Sequence, residues 1–312
     1  MKGAEVGRRD GYADRLLRFT EPAADEGFVA RYVTTFRAGF LLLVSAQMVH
    51  FVFHDRYYLA FERGPLWAAR DVGGMVGPLM VFAVFFCAAA ALIPRFRGAG
   101  LTGLVWVWGF HIFWGFPHVA NHAFLMFFAL LGLAFFWRDS REEQALALGG
   151  LRWLAIIVLF WSGVQKVLYG QFFQGEFLAQ RIAVDPRYSE VFSWIMGAEV
   201  ARLRALPADG PFVFQSVLGL VLSNVTYMAE IALGLLLLLG PGVRSAAWAG
   251  AALLVVAVEV GAREFYFGAA MLQMLVLFAP RKHHRLWAPV FAVVPILLLL
   301  ASLGLIPGLG IT

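Results

Sequence analysis

Long apolar blocks separated by short polar stretches make up this chain. Blocks of roughly 17–25 apolar residues have the length a helix needs to cross the hydrocarbon of a bilayer. They predict helices at about 32–53, 72–93, 100–116, 119–137, 151–170, 212–239, 245–261, 264–280 and 288–306. The block at 100–116 is short and parted from the next only by a bend at Pro117, so the two read either as separate crossings or as one re-entrant element. The block at 212–239 is long enough to tilt. The expected fold is an all-α, polytopic integral membrane helical bundle with about eight to nine transmembrane helices. Residues 1–31 are expected as an amino-terminal arm, 32–306 as the membrane domain with an outer loop at 171–211, and 307–312 as a short tail.

Composition sharpens this picture. Hydrophobic residues are 61% of the chain and charged ones 14%, against about 45–50% and about 25% in soluble domains, so lipid is the main solvent. The net charge of +5 comes from basic residues in the loops, where they set topology and meet anionic headgroups without any nucleic acid. Fifteen of the 25 Lys/Arg residues fall on the side of the amino terminus and 8 on the other, with Arg37 and Lys166 inside apolar blocks. The positive-inside rule then puts the amino terminus in the cytoplasm. The arm carries Lys2, Arg8, Arg9, Arg15, Arg18 and Arg31 and no signal-peptide core, so it is expected to stay in the mature protein. Its stretch from Tyr12 to Phe19 reads either as a short amphipathic surface helix or as a solvated tail. The single cysteine, Cys87, excludes an intramolecular disulfide and lies in an apolar run, facing lipid or packing. Tyr188 to Leu206, in the outer loop, has the pattern of an amphipathic helix and reads as a lid or a packed connector. Gly73 and Gly77, four apart, favour close helix packing.

Ionisable groups inside membrane spans are costly and mark either a site or a buried pair. In the expected topology Asn121 and His122 open their helix on the outer side, and Lys166 falls in the outer third of the next. His50, His54, His111, His118, Asp71 and Glu259 lie near the same level. His283 and His284 stand apart, in a cytoplasmic basic cluster with Arg281, Lys282 and Arg285. Lys166 lies among Phe160, Trp161, Val164, Val167 and Leu168, and loss of solvation favours its neutral amine, a general base. Taken alone, Lys166 fits equally a side chain snorkelling to the interface. His122 alone reads as an interfacial histidine and Asn121 as a helix cap. No metal site is expected, because the one His-x-x-x-His spacing, His118 and His122, straddles a helix start next to Pro117. Phosphate loops, serine elbows and dinucleotide fingerprints are absent from the sequence.

Asn121-His122 opens an apolar helix, and Trp161-Ser162-Gly163-Val164-Gln165-Lys166-Val167-Leu168 ends the next, followed by Gly175-Glu176. These elements resemble the membrane domain of the vitamin K-dependent γ-carboxylases and their bacterial relatives, the horizontally transferred transmembrane domain family. The run from Glu230 to Gly240 with Arg244, and Phe265-Tyr266-Phe267-Gly268, are similar to later family elements, so the resemblance covers most of residues 30–280. It implies that Lys166 is the catalytic base that deprotonates a reduced naphthoquinone (vitamin K hydroquinone or menaquinol), with Asn121 and His122 as a polar pair in the same site. Oxygen then attacks the quinol anion, and the basic alkoxide removes a proton from a glutamate γ-carbon that captures carbon dioxide, as the vitamin becomes an epoxide. Trp161, His111, Phe113, Trp114, Glu230 and Glu259 are the expected quinone-binding residues, with Phe110 a further aromatic wall; read singly, the aromatics fit interfacial belts and core packing. The family's late-helix histidine has no clear counterpart, Glu259 being the nearest polar residue. Since the chain ends at Thr312 after one further apolar helix, without the carboxylases' large lumenal domain, canonical peptide-glutamate carboxylation is not the expectation: either another polypeptide supplies the missing parts, or the chemistry ends in quinol oxidation or acts on a small or lipid substrate, with a peptide or protein acceptor or a partner subunit as the further partner. The implied setting is a bacterial cytoplasmic membrane, with lipids and an isoprenoid quinone as partners and the active site toward the outer leaflet. A second expectation, from a different class, is a transporter or ion-coupled carrier using Glu230, Glu259 and Lys166 as a charge pathway. A third is a non-catalytic scaffold or lipid-binding partner.

Overall fold

The computed structural model describes residues 26–53, 73–116, 121–262, 264–279 and 288–306. Each predicted apolar block contains a helix: α1 (Glu26–Phe53), α2 (Gly73–Leu92), α3 (Arg97–Gly115), α4 (Asn121–Phe135), α5 (Arg141–Tyr169), α8 (Val217–Leu236), α9 (Pro241–Ala262), α10 (Phe265–Leu275) and α11 (Ala288–Ser302). The loop at 171–211 adds α6 (Glu176–Val184) and α7 (Pro186–Arg204). No strand occurs among the described residues, so the protein is a helical bundle.

Length and apolarity qualify four of these helices individually as membrane-crossing, over Tyr32–Phe53, Arg141–Tyr169, Val217–Leu236 and Gly242–Gly261. Helices α2 and α3 meet the same test only jointly, across a bend of 117°, and α4, α10 and α11 are shorter apolar helices. The bundle is arranged by burial. Helix α1 is the axis, with Phe36, Phe40, Leu43, Val44 and Met48 fully enclosed. Helices α2, α8 and α9 show large apolar side chains to the outside, among them Phe82, Phe86, Val221, Val225 and Leu253. Water would penalise such a surface, whereas lipid tails match it.

Local chemistry sets the helix ends around the site. Ser140 caps α5, its hydroxyl accepting from the Glu143 amide at 3.3 Å, while the Glu143 carboxylate accepts from the Arg138 amide at 2.9 Å. The first bond satisfies an amide that a helix start leaves open, and the second ties the chain before the cap to the first turn. Gly170 closes α5 in the left-handed conformation, φ 70°. Asp185 caps α7 through the Arg187 amide at 2.9 Å, with Pro186 at the first helical position.

One ionic knot orients the bundle. Arg37 lies in the first half of α1, Arg97 starts α3, and Asp139 stands between the end of α4 and the start of α5. The Asp139 carboxylate pairs with Arg97 and lies 3.7 Å from Arg37. The starts of α1, α3 and α5 and the end of α4 therefore gather at one end. His50, His111, His122 and Lys166 consequently all lie toward the opposite end.

Candidate functional site

Helices α5 and α8 meet with almost no space between them. A Cβ on Gly163 would fall 2.7 Å from the Tyr227 carbonyl oxygen and 2.6 Å from Ile231 Cγ1, and one on Gly234 would fall 3.0 Å from the Phe160 amide nitrogen. Small residues are what allow such approach between membrane helices, where apolar burial alone gives little drive to associate. The approach brings Glu230 opposite Lys166. Lys166 Nζ donates to both Glu230 carboxylate oxygens at 2.6 Å and to Ser162 Oγ at 2.9 Å. The Phe172 ring lies over the ammonium, its centroid 5.6 Å away. The side chains are 21% exposed for Lys166 and 10% for Glu230.

An unpaired ammonium within a membrane span is costly, less so toward a helix end, and Lys166 stands in the last turn of α5. Here it is not isolated. The sequence predicts a lysine in apolar surroundings, and the fold instead gives it a carboxylate, a hydroxyl and an aromatic face. Glu230 belongs to a polar stripe along α8. Ser223 Oγ donates to the Phe172 carbonyl at 2.9 Å, Asn224 Nδ2 to the Phe173 carbonyl at 3.2 Å, and Tyr227 Oη to Asn224 Oδ1 at 2.8 Å. These bonds fasten the turn after α5 against α8, and with it Phe172. The stripe was legible as Ser-Asn-x-x-Tyr-x-x-Glu at helical spacing. Ser162, Phe172, Ser223, Asn224 and Tyr227 are the members that reading for catalytic residues misses.

A second group surrounds Phe51, which packs on His111 at 4.5 Å and stacks with His122 at 6.0 Å between ring centroids. Trp108 lies 5.4 Å from His111 and donates its indole N–H to the Ala123 carbonyl at 2.8 Å, which seats α4 on α3. His50 faces Tyr266 at 5.2 Å, and the Tyr266 hydroxyl bonds with Ser302. Trp114 is buried with its ring 5.2 Å from Phe110. Among the described residues no three His, Cys, Asp or Glu side chains converge as metal ligands do.

The predicted residues thus divide. Lys166 and Glu230 form one constellation, and His122 and His111 belong to the aromatic group on α1, α3, α4 and α10. Glu259 is buried against Gly268 at the junction of α9 and α10. Trp161 and Phe113, half exposed at 50% and 56%, face the outside of the bundle. Asn121 starts α4, but its side chain, like His54, Asp71, His118, His283 and His284, lies outside the described residues. The loop at 171–211 and the residues that follow it fold as a small lobe in which Ala179, Ile182, Met196, Val200, Leu203 and Phe214 enclose one another. Phe214 packs on Gly175 and Gly219 and so ties the lobe to the start of α8. Comparison with known proteins found no matching family model, no characterised relative and no matching solved structure.

Proposed function

We propose that this protein is a membrane enzyme that removes a proton from a lipid-borne quinol, with Lys166 as the base and Glu230 as the group that receives or shares its proton. The observation that carries the reading is the Lys166 ammonium held by both Glu230 oxygens and Ser162 beneath an aromatic face. In an apolar setting, moving one proton from Lys166 to Glu230 exchanges two charges for two neutral groups and leaves a free amine. A reduced naphthoquinone, which carries an isoprenoid tail through lipid, fits this place. Half-exposed Trp161 and Phe173 and exposed Tyr169 lie close to the pair along the chain and offer apolar surface. When bound, such a quinol supplies the acidic hydroxyl and, with oxygen, the oxidising chemistry of the vitamin K carboxylases. The further parts of the reading are eight to nine crossings, a cytoplasmic amino terminus, a bacterial cytoplasmic membrane, and a site toward the outer leaflet. Carbon dioxide as co-substrate and a peptide or protein acceptor also belong to it.

Purified protein given reduced menaquinone or vitamin K under oxygen tests the proposal, with quinone and epoxide followed by absorbance and mass spectrometry. Wild type is expected to turn over. Lys166→Ala should abolish turnover in a protein that remains folded, and Glu230→Gln should lower kcat more than it raises KM. Undiminished activity of Lys166→Ala would sink the role of Lys166. A second reading, an ion-coupled carrier, is favoured by the same pair joining two helices that are each long enough to cross. It requires pH-dependent flux in liposomes that is lost in both variants, without quinol turnover.

A further inference from the structure

The knot of Arg37, Arg97 and Asp139 holds more positive charge than it balances. Arg37 is 2% exposed and Arg97 8%, and two guanidinium groups share the one Asp139 carboxylate. The distance from Arg37 Nη1 to that carboxylate, 3.7 Å, is longer than a hydrogen bond. The Nε and Nη2 of Arg37 and the Nε of Arg97 are buried without a hydrogen-bond partner among the described residues. An arginine does not escape this cost by losing its proton, so these donors call for an acceptor that brings negative charge. The neighbouring Glu143 carboxylate is otherwise engaged, lying 3.5 Å from Arg138 and accepting from its backbone amide. Asp139, its side chain 55% exposed, brings the knot to the surface of the bundle. Exposed Arg95 and Arg141 stand nearby along the chain and add to the local positive potential.

We infer that Arg37 and Arg97 form a binding site for a phosphate-type oxyanion, at the end of the bundle opposite Lys166. Counting about 26 residues of α5 at 1.5 Å each, the two places are roughly 40 Å apart. The ligand accepts hydrogen bonds and carries negative charge, because the buried groups of the knot left without a partner are all guanidinium donors. Two guanidinium forks suit the several oxygens of a tetrahedral phosphate. The phosphate belongs either to the headgroup of an anionic phospholipid or to a soluble phosphate compound.

The full-length protein in nanodiscs of phosphatidylcholine alone, or of phosphatidylcholine with phosphatidylglycerol, decides this by native mass spectrometry of retained lipid and by thermal melting. Inorganic phosphate added to the phosphatidylcholine discs forms a third arm. Phosphatidylglycerol or phosphate is expected to bind and raise the melting temperature. Arg37→Gln should weaken that binding about tenfold, the scale of a lost charge-assisted hydrogen bond. Asp139→Asn removes the competing carboxylate and should tighten it, an effect that damage to the fold does not produce. Stabilisation by phosphate alone assigns the site to a soluble anion, and stabilisation by phosphatidylglycerol alone assigns it to a headgroup. Binding of neither overturns the inference. So does Arg138→Gln weakening binding as much as Arg37→Gln, since Arg138 is exposed and such a result reports only general surface attraction.

Discussion

Gly163 is where one atom decides whether the candidate site exists. Any side chain there meets the Tyr227 carbonyl and the backbone nitrogen of Ile231, and a backbone does not move aside as a side-chain end does. Gly163→Val is therefore expected to separate α5 from α8 and to cost about 1–3 kcal/mol or more by overpacking. Thermal melting in detergent reads the loss, and an unchanged melting temperature would show that the helices do not approach this closely. The same substitution should lower quinol turnover, because Glu230 reaches Lys166 only across this contact. Lys166 itself was legible as a lone cation in an apolar run. Its partner was legible as an acid in another apolar run 64 positions away. That the two meet was not legible, since no local pattern encodes the pairing of distant helices.

Among the elements, α7 shows how strongly a short polar segment depends on its cap. Asp185 accepts from the Arg187 amide and pairs with its guanidinium at 2.7 Å, and these bonds hold the Asp185 carboxyl below the usual aspartate range. The sign follows from a folded value lower than the unfolded one. The stabilisation is complete above the unfolded aspartate value and is lost as pH falls through the lower folded value. Amide hydrogen exchange in the first turn of α7 should accordingly quicken as pH falls through that window, after correction for intrinsic exchange. In Asp185→Asn, which keeps a capping oxygen, this extra acid sensitivity should vanish. An acid response identical in the variant would remove Asp185 as its cause. The amphipathic pattern from Tyr188 to Leu206 announces this helix, and its buried Val200 and Leu203 lie at helical spacing, but the pattern does not announce the break at Met196, where the backbone leaves helical angles (φ −144°, ψ 52°). Helix α6 had no such announcement, and only packing against α7 and Phe214 makes so short a segment helical.

For the whole molecule, the Arg37, Asp139 and Arg97 knot orients four helices at once, and a topology follows that labelling can read. In a background with Cys87→Ser, a cysteine replacing exposed Glu142 should react with an impermeant reagent only from the cytoplasmic side. One replacing exposed Asp209 should react only from the opposite side. Labelling of both from one side would overturn the proposed orientation and the outer-leaflet position of Lys166. By itself the sequence determined the helical class, the places of the apolar helices and the residues too polar to be ordinary lipid-facing positions. Those properties are local, because length, hydropathy and capping chemistry act within one segment. Tertiary structure alone decided that Lys166 is paired with Glu230, that His111 and His122 join an aromatic group around Phe51, and that Trp161 and Phe113 face outward. It also decided that two arginines share one aspartate. Each of these depends on the rotation and contact of helices far apart in the chain, which close glycine approaches and a few charge pairs select among many arrangements that satisfy the same hydrophobic pattern.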